Sequence, residues 1–376
     1  MSKVIFPPAT IGIVGGGQLG RMIALAAKPM GYRVGVLDPT PDSPAGQVAD
    51  FQITADYDDE AAILELARRA DVLTYEFENV DLTTLAHASQ ITELPQGTDL
   101  LYITKNRLRE KQFLADHGIP VARFAEVQSV VELDAKVAEE VPCPAILKTA
   151  EGGYDGHGQW DIPNTDALNT LISHWPVAET VPLILEQQID FDREVSVMVT
   201  RDGFNEVRIW PVAENVHQHH ILKTTLAPAQ VSPLLQAKIT RIATDIAEAL
   251  NLRGVLGVEM FVAGDDVYVN ELAPRPHNSG HYTIEGSNIS QFEAHVRSIV
   301  GLPIAEIETV DQALMLNLLG DELTQAREEL LAHPEWHFHD YGKLDIKRNR
   351  KMGHITVVGA TAIGQLETWS QTHEQH

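Results

Sequence analysis

One cysteine, Cys143, is all that 376 residues contain. An intramolecular disulfide and a multi-cysteine zinc site are therefore excluded, and Cys143 itself reads as a small buried hydrophobe. Long apolar runs are missing too: none approaches the roughly 18 residues of a membrane helix. The opening stretch, residues 1–8, carries too short an apolar segment for a signal peptide. A soluble, cytoplasmic protein is expected. Positive charge is scarce, with 28 Lys and Arg against 53 Asp and Glu and a formal net charge of −25. A field of that sign repels nucleic acid and anionic membranes alike, so neither is expected as a partner. It leaves open where a phosphate could be met. No internal repeat or low-complexity tract is seen. With 44% hydrophobic and 22% charged residues the composition is that of an ordinary globular chain, not a disordered one. The length suggests two or three domains.

The first hundred residues alternate strand and helix signals. Thr10–Val14 is a short apolar strand that runs into Gly15-Gly16-Gly17-Gln18-Leu19-Gly20, and a helical stretch follows to about Lys28. Strand signals recur at Arg33–Leu37 and Val72–Tyr75, with a helical pattern from Glu60 to Ala70 between them. Such βαβ alternation implies a parallel sheet covered by helices. After about residue 104 the pattern becomes mixed. A basic helix opens at Lys105–Lys111, strands are expected at Pro144–Thr149 and Leu183–Ile189, and an amphipathic helix spans Leu234–Leu250. Two further strands, Val255–Val262 and Val267–Leu272, flank a turn, and short strands near Ala313–Leu318 and Ile355–Val358 close the chain.

Four clusters carry chemistry. Gly15, Gly17 and Gly20 fit G-x-G-x-x-G between a strand and a helix, with Asp38 ending the next strand. That is the context of a pyrophosphate-binding turn; a tight turn with no ligand is the plainer alternative. Glycines at 152, 153, 156 and 158 form a second loop directly after Lys148. Its exposed N–H groups could fold over phosphates while Lys148 reaches them from the strand, although no Gly-Lys-Ser/Thr of a P-loop follows. Glu259 and Glu271 fall opposite one another if their hairpin is centred on Asp265. Two facing carboxylates repel unless a cation lies between them, and hard oxygen ligands, with Asn270 alongside, suit Mg²⁺; two solvated glutamates are the alternative. The stretch Ala273-Pro-Arg-Pro-His-Asn-Ser-Gly-His281 is stiff and polar, and Arg275 offers a planar fork for a carboxylate or bicarbonate. His217, His219 and His220 read as a solvated loop rather than a metal site.

Taken in order, Lys148, the loop Gly152–Gln159, Glu186-Gln187-Gln188-Ile189, Arg193-Glu194, Glu259, Asn270-Glu271 and the Ala273–His281 stretch resemble the ATP-grasp superfamily. Within it they are closely similar to the N5-carboxyaminoimidazole ribonucleotide synthases, from Gly15-Gly-Gly-Gln-Leu-Gly-Arg-Met22 to Tyr341–His354. The resemblance implies an α/β chain, α+β in its central part. It would comprise an N-terminal Rossmann-like domain (1–104), an ATP-grasp domain (105–310, divided at 182/183) and a small β-rich C-terminal domain (311–376). It implies a homodimer that uses ATP and Mg²⁺, as two ions, to carboxylate 5-aminoimidazole ribonucleotide with bicarbonate through carboxyphosphate. Arg107, Lys148, Gly153, Tyr154, Asp155, Gly156, His157, Gly158, Gln159, Glu186, Gln187, Gln188, Ile189, Glu194, His217, Asn270 and Glu271 would serve the nucleotide, with Glu186 and Ile189 at the adenine and Glu194 at the ribose. Glu259 and Glu271 would hold the metal. Gln18, Leu19, Glu76, Tyr154, Asp155, Lys343 and Arg350 would receive the ribonucleotide. Arg275, His277 and Asn278 would surround bicarbonate, with Asp155 positioning or deprotonating the attacking amine.

Two positions depart from the family pattern. His157 stands where Lys or Arg is usual, and His219-His220 replaces Asp-Gly. Basic residues gather at 105–111 and 343–351, at the segments read as meeting phosphates, which gives the scarce positive charge a place. Three other readings compete: a formate-dependent glycinamide ribonucleotide transformylase on a similar frame, a nicotinamide-dependent dehydrogenase resting on the first glycine cluster, and a silent nucleotide-binding regulator. The dehydrogenase leaves the second loop and the paired glutamates unexplained.

Overall fold

A computed structural model describes residues 3–152, 158–175 and 182–373. The chain forms two compact units, one of 1–101, 195–258 and 273–376, the other of 102–194 and 259–272.

In the first unit the βαβ expectation holds. Strands Phe51–Ile53, Arg33–Leu37, Thr10–Val14 and Val72–Tyr75 lie side by side in that order, all parallel. Parallel strands buried on both faces carry nearly unbroken apolar runs, and Ile11, Ile13, Val14, Val34, Val36 and Leu37 are inaccessible to solvent. The helix Gln18–Ala27 presents Leu19, Met22, Ile23 and Ala27 at three- and four-residue steps. They share a core with Phe292, Val296 and Ile299 of the helix Gln291–Ile299.

A nine-stranded sheet follows the order Asp266–Ala273, Val255–Ala263, Arg193–Arg201, Ala213–Gln218, Ile221–Ala227, Ala313–Leu319, Lys351–Val358, His337–Asp340, with Val207–Ile209 beside Arg193–Arg201. Near the C-terminus the helices Glu322–Glu329 and Ala360–Thr372 supply Leu323, Ala326, Ile363, Leu366 and Trp369 to a core with Leu316, Leu318 and Ile355.

The second unit has its own antiparallel sheet, ordered Phe124–Val127, Leu183–Gln187, Ala145–Thr149, Gln159–Ile162. Its core joins Val127, Leu147, Ile162 and Leu185 to Leu133 and Val137 of one helix and Leu168 of another. The polar helix Arg107–Asp116 is started by Asn106, whose side chain accepts from the Arg109 N–H at 3.0 Å.

Two hairpin turns explain residues that the sequence left odd. His219 and His220 are the two residues between paired Gln218 and Ile221, and both are left-handed, with φ of 51° and 64°. A two-residue turn with both φ positive favours Asn-Gly or Asp-Gly, because a Cβ is strained there. The change from Asp-Gly is thus a change at a tight turn. The other turn, Gly264-Asp265, joins strands that end at Ala263 and resume at Asp266. A two-residue loop centres the hairpin half a residue before Asp265, which sets Glu259 opposite Asn270 rather than opposite Glu271. Alternating exposure agrees: Glu259, Phe261 and Ala263 are more exposed than Met260 and Val262, as Tyr268 and Asn270 are than Val267 and Val269. The expectation of directly facing glutamates is corrected accordingly, by one residue of register.

Replacing His219-His220 by Asn-Gly is expected to stabilise the protein by about 1 kcal/mol, from relief of left-handed strain. Urea denaturation checks this; an unchanged or lowered midpoint would count against the strain.

Candidate functional site

In the second unit the middle strands of the antiparallel sheet bring two charges together. Ile146 pairs with Glu186 and Lys148 with Ile184, so Lys148 and Glu186 are diagonal neighbours on one face. Lys148 Nζ donates to Glu186 Oε2 at 2.8 Å. Lys111 Nζ approaches the same oxygen at 4.0 Å, although Lys111 is only 2% exposed. Burial alone would push the Glu186 carboxyl up. The facing Lys111 and Lys148, with Arg107 beyond them, overcome it and hold Glu186 down to about 2. Its second oxygen, Oε1, is buried and has no hydrogen-bond partner among the described residues. A buried ionised acceptor with an unused oxygen calls for a donor from outside the protein.

Lys111 also organises the strand that carries Asn270 and Glu271. Its ammonium donates to Val269 O at 3.1 Å and to Asn270 O at 2.6 Å. The neighbouring Glu110 accepts from the Leu272 N–H at 3.2 Å, and Val269 N donates to Pro120 O at 2.8 Å. Side chains and a loop thus satisfy backbone groups of an edge strand that would otherwise stay unpaired. Burial pushes the Glu110 carboxyl well above its ordinary value. Between these anchors Glu271 is exposed, although strand alternation would align it with buried Val267 and Val269. Glu259, Asn270 and Glu271 form an all-oxygen donor set on one hairpin, the chemistry that Mg²⁺ requires.

The basic run 105–111 is spent differently from the expectation. Arg107 donates to Thr149 O at 3.0 Å. Arg109 pairs with Glu151 at 2.8 Å and stacks over Tyr102 with 3.9 Å to the ring centroid, and Lys111 is committed as above. Arg107 and Lys148 are placed at the strand end that leads into the glycine loop. Gly153, Tyr154, Asp155, Gly156 and His157 lie outside the described residues. Gly158 (φ 72°) and Gln159 resume the chain, and Gln159 pairs with Lys148. Gln187, Gln188 and Ile189 follow Glu186 at the end of its strand, with both glutamines exposed, and Glu194 is the second residue of the next strand.

In the first unit the turn Gly15–Gly20 turns out to be filled by the protein's own carboxylates. Glu76 accepts from the N–H of Gly17 through Oε1 and from that of Gly20 through Oε2, the latter at 2.6 Å. Asp38 accepts from the N–H of Gly16 at 2.8 Å and from Tyr57 Oη at 2.5 Å. Gly15 has φ of 110°, and a Cβ there would fall 2.3 Å from Glu76 Cγ, so only glycine lets the carboxylate in. The pyrophosphate expected at this helix N-terminus would meet two anions, and the dinucleotide reading of the motif loses its physical basis. Burial pushes the Glu76 carboxyl up, opposed by the two N–H donors and by Arg275. Gln18 and Leu19 open the helix, between the two glycines whose N–H groups Glu76 accepts.

The Ala273–His281 stretch is held residue by residue. Arg275 Nη2 meets Glu78 Oε1 at 2.9 Å. Gln291 brackets His277, accepting from its N–H at 2.9 Å and donating to its carbonyl at 2.7 Å. Asn278 and buried Asn317 exchange side-chain amide bonds, one of them at 3.0 Å. Burial, and then Arg275 and Lys351, keep the His277 imidazole well below the ordinary histidine value. His217 lies in the strand Ala213–Gln218. It is therefore strand-borne, which corrects the solvated-loop reading of the histidine cluster for this member. Lys343 Nζ donates to Lys351 O at 2.6 Å, and burial pulls its ammonium down to about 8. Arg350 is half-buried, and its guanidinium donates to Asp345 O at 3.0 Å. Glu110, Gln291 and Asn317 were not anticipated. Each acts on a neighbour's backbone or amide, which no residue pattern announces.

Three family models match the chain: a ribonucleotide synthetase preATP-grasp domain at residues 8–104, an ATP-grasp domain at 112–292 and a phosphoribosylaminoimidazole carboxylase C-terminal domain at 313–367. The N5-carboxyaminoimidazole ribonucleotide synthase of Bacillus subtilis is 46% identical over 358 residues, 95% of this chain and 93% of that one. An ADP complex of an N5-carboxyaminoimidazole ribonucleotide synthetase superposes with a TM-score of 0.94 at 42% identity, covering 100% of both chains. The Aspergillus clavatus synthase with ADP and 5-aminoimidazole ribonucleotide superposes at 0.88, with 34% identity and 97% of each chain covered.

Lys111→Met is expected to cost about 3–5 kcal/mol, because it leaves the buried Glu186 with Lys148 as its one close cation among the described residues and frees two strand carbonyls. Lys136→Ala, which removes one i,i+4 surface ion pair with Glu140, is expected to stay within about 0.5 kcal/mol. Denaturant melts of the two variants check this, and equal losses would contradict the role given to Lys111.

Proposed function

The chain belongs to the N5-carboxyaminoimidazole ribonucleotide synthase family, and on that premise we propose which of its residues carry each part of the chemistry. It is an ATP-grasp ligase of purine biosynthesis, with an N-terminal parallel-sheet domain preceding the ATP-grasp domain. The observation that carries the nucleotide assignment is the ionised, buried Glu186 with its unused oxygen. That oxygen accepts the exocyclic amine of adenine, Ile189 packs on the base, and Glu194 takes the ribose hydroxyls. Arg107, Lys148, His217 and the loop 153–159 meet the phosphates. Mg²⁺, held by Glu259 and Glu271 with Asn270 adjacent, supplies charge neutralisation for phosphoryl transfer when bound.

Bicarbonate attacks the γ-phosphorus, ADP leaves, and carboxyphosphate forms. The amine of 5-aminoimidazole ribonucleotide then attacks the carboxyl carbon, the bond from that carbon to the phosphate oxygen breaks, and a nitrogen proton is lost to Asp155. Arg275, His277 and Asn278 orient the small anion. Arg275 is pre-aimed by Glu78, and His277 by Gln291. Glu76 keeps lone pairs beyond the two given to Gly17 and Gly20, so it accepts ribonucleotide hydroxyls. Gln18, Leu19, Tyr154, Lys343 and Arg350 complete that site. Carboxyphosphate is labile, so the site has to exclude water while it forms. The assembly is a homodimer located in the cytoplasm, and the division 1–104, 105–310 and 311–376 follows the three tasks. Among the described residues no helix is long and apolar enough to cross a membrane.

ADP release should require Mg²⁺, bicarbonate and 5-aminoimidazole ribonucleotide together. It should not respond to formate with glycinamide ribonucleotide. Glu271→Ala should lower turnover by on the order of a thousandfold. Release that ignores the aminoimidazole, or near-normal turnover in the variant, overturns these assignments.

A pH dependence follows from Lys343. Its lowered value, about 8, leaves it charged below and neutral above that pH. The KM for the ribonucleotide is expected to rise above about pH 8, and Lys343→Arg should flatten the rise, since Arg stays charged. A flat wild-type profile between about pH 7 and 9 contradicts the phosphate contact.

A further inference from the structure

His277 ends a buried file of polar side chains that reaches across three strands of the large sheet. Its Nδ1 lies 2.9 Å from Ser279 Oγ. Ser279 Oγ is 2.8 Å from Ser196 Oγ. Asn215 Nδ2 reaches Ser196 Oγ at 2.9 Å, and Thr225 Oγ1 reaches Asn215 Oδ1 at 3.0 Å. Ser196, Thr225 and Ser279 have no solvent exposure, and Asn215 has 6%. Apolar residues would fill a sheet interior at lower cost. A polar row this deep persists only when every member is satisfied, and it then fixes one arrangement.

A row of hydroxyls ended by an amide can point either way, since hydroxyls rotate and an amide can turn over. One donor here cannot rotate. The backbone N–H of Ser279 is directed at His277 Nδ1, 3.4 Å away. A ring nitrogen that faces a fixed N–H gains from offering a lone pair, and at 3.4 Å this long bond leaves the shorter hydroxyl row to complete the choice. That sets the direction of the whole file: Asn215 donates to Ser196, Ser196 to Ser279, and Ser279 to Nδ1. The surroundings keep the ring neutral, through burial first and the cations Arg275 and Lys351 next. A neutral imidazole carries one proton, and Nε2 is the nitrogen left for it.

We propose that Ser279, Ser196 and Asn215 are positioning residues that hold His277 in the Nε2–H tautomer, so that it acts toward bicarbonate or carboxyphosphate as a hydrogen-bond donor and not as a base. The proposal rests on the assignment of His277 to the bicarbonate end of the reaction. A fixed neutral donor suits an oxygen that gains negative charge as the phosphate leaves. In a dry site, loss of one such donor costs about a hundredfold or more in rate.

¹⁵N NMR of the full-length, histidine-labelled protein reads the tautomer without substrates, with the His277 signals identified by their loss in His277→Gln. In the wild type Nε2 should be protonated and Nδ1 bare. Asn215→Asp keeps the shape but turns the donor end into an acceptor. It should reverse the file, move the proton to Nδ1 and lower kcat about a hundredfold, with the KM for ATP held within about twofold. Ser196→Ala cuts the file without burying a charge. It should mix the two tautomers and lower kcat less, which keeps the test available if the aspartate variant does not fold. A protonated Nδ1 in the wild type overturns the proposal, as do an unchanged tautomer and kcat in both variants. Full turnover by His277→Ala, which offers no donor, removes the underlying assignment whatever the spectrum shows, so the two failures are distinct.

Discussion

Two lysines facing one buried glutamate set the terms for the second unit. An isolated carboxylate at the depth of Glu186 would take up a proton rather than stay charged. Lys148, diagonal to it across the sheet, and Lys111, from the helix Arg107–Asp116, keep it ionised. The same Lys111 fixes the carbonyls of Val269 and Asn270. One ammonium therefore ties the proposed adenine acceptor to the hairpin that bears the proposed metal ligands. The linkage has a sign. Glu186 is depressed, so its stabilising effect is present above the ordinary glutamate range and lost as pH falls toward about 2.

The first unit meets anions by a different device. Glu76 and Asp38 already occupy the N–H groups of the Gly15–Gly20 turn. These carboxylates brace the turn from within and rest on its lack of side chains. What remains for the proposed ribonucleotide is the far side of Glu76, with Lys343 and Arg350 as the proposed cations. A net charge of −25 is compatible with phosphorylated substrates on these terms. The cations are few, most are anchored by a carbonyl or a carboxylate, and they stand where a phosphate is proposed.

Much of this was legible beforehand, because regular alternation writes itself into residue order. The strands Thr10–Val14, Arg33–Leu37 and Val72–Tyr75 and the long helix near 234–250 appear where periodicity places them. The family followed from motifs whose joint occurrence is specific. What stayed hidden depends on contacts between distant residues. The hairpin register moved by one because Gly264-Asp265 is a two-residue turn, a difference the composition of Gly-Asp-Asp does not decide. Lys111 reads as one more surface cation in a polar helix, and only the fold shows it buried. The G-x-G-x-x-G turn advertises bare N–H groups, yet their partners, Asp38 and Glu76, come from later strands.

The central claim is that a buried, ionised Glu186 reads the exocyclic amine of adenine. Equilibrium binding of ATP and of inosine triphosphate, which carries a carbonyl oxygen in place of that amine, tests it most directly. Facing Glu186 Oε1 with an acceptor would leave both oxygens unpaired, so ATP should bind tighter by on the order of a hundredfold or more. Equal dissociation constants would contradict the claim.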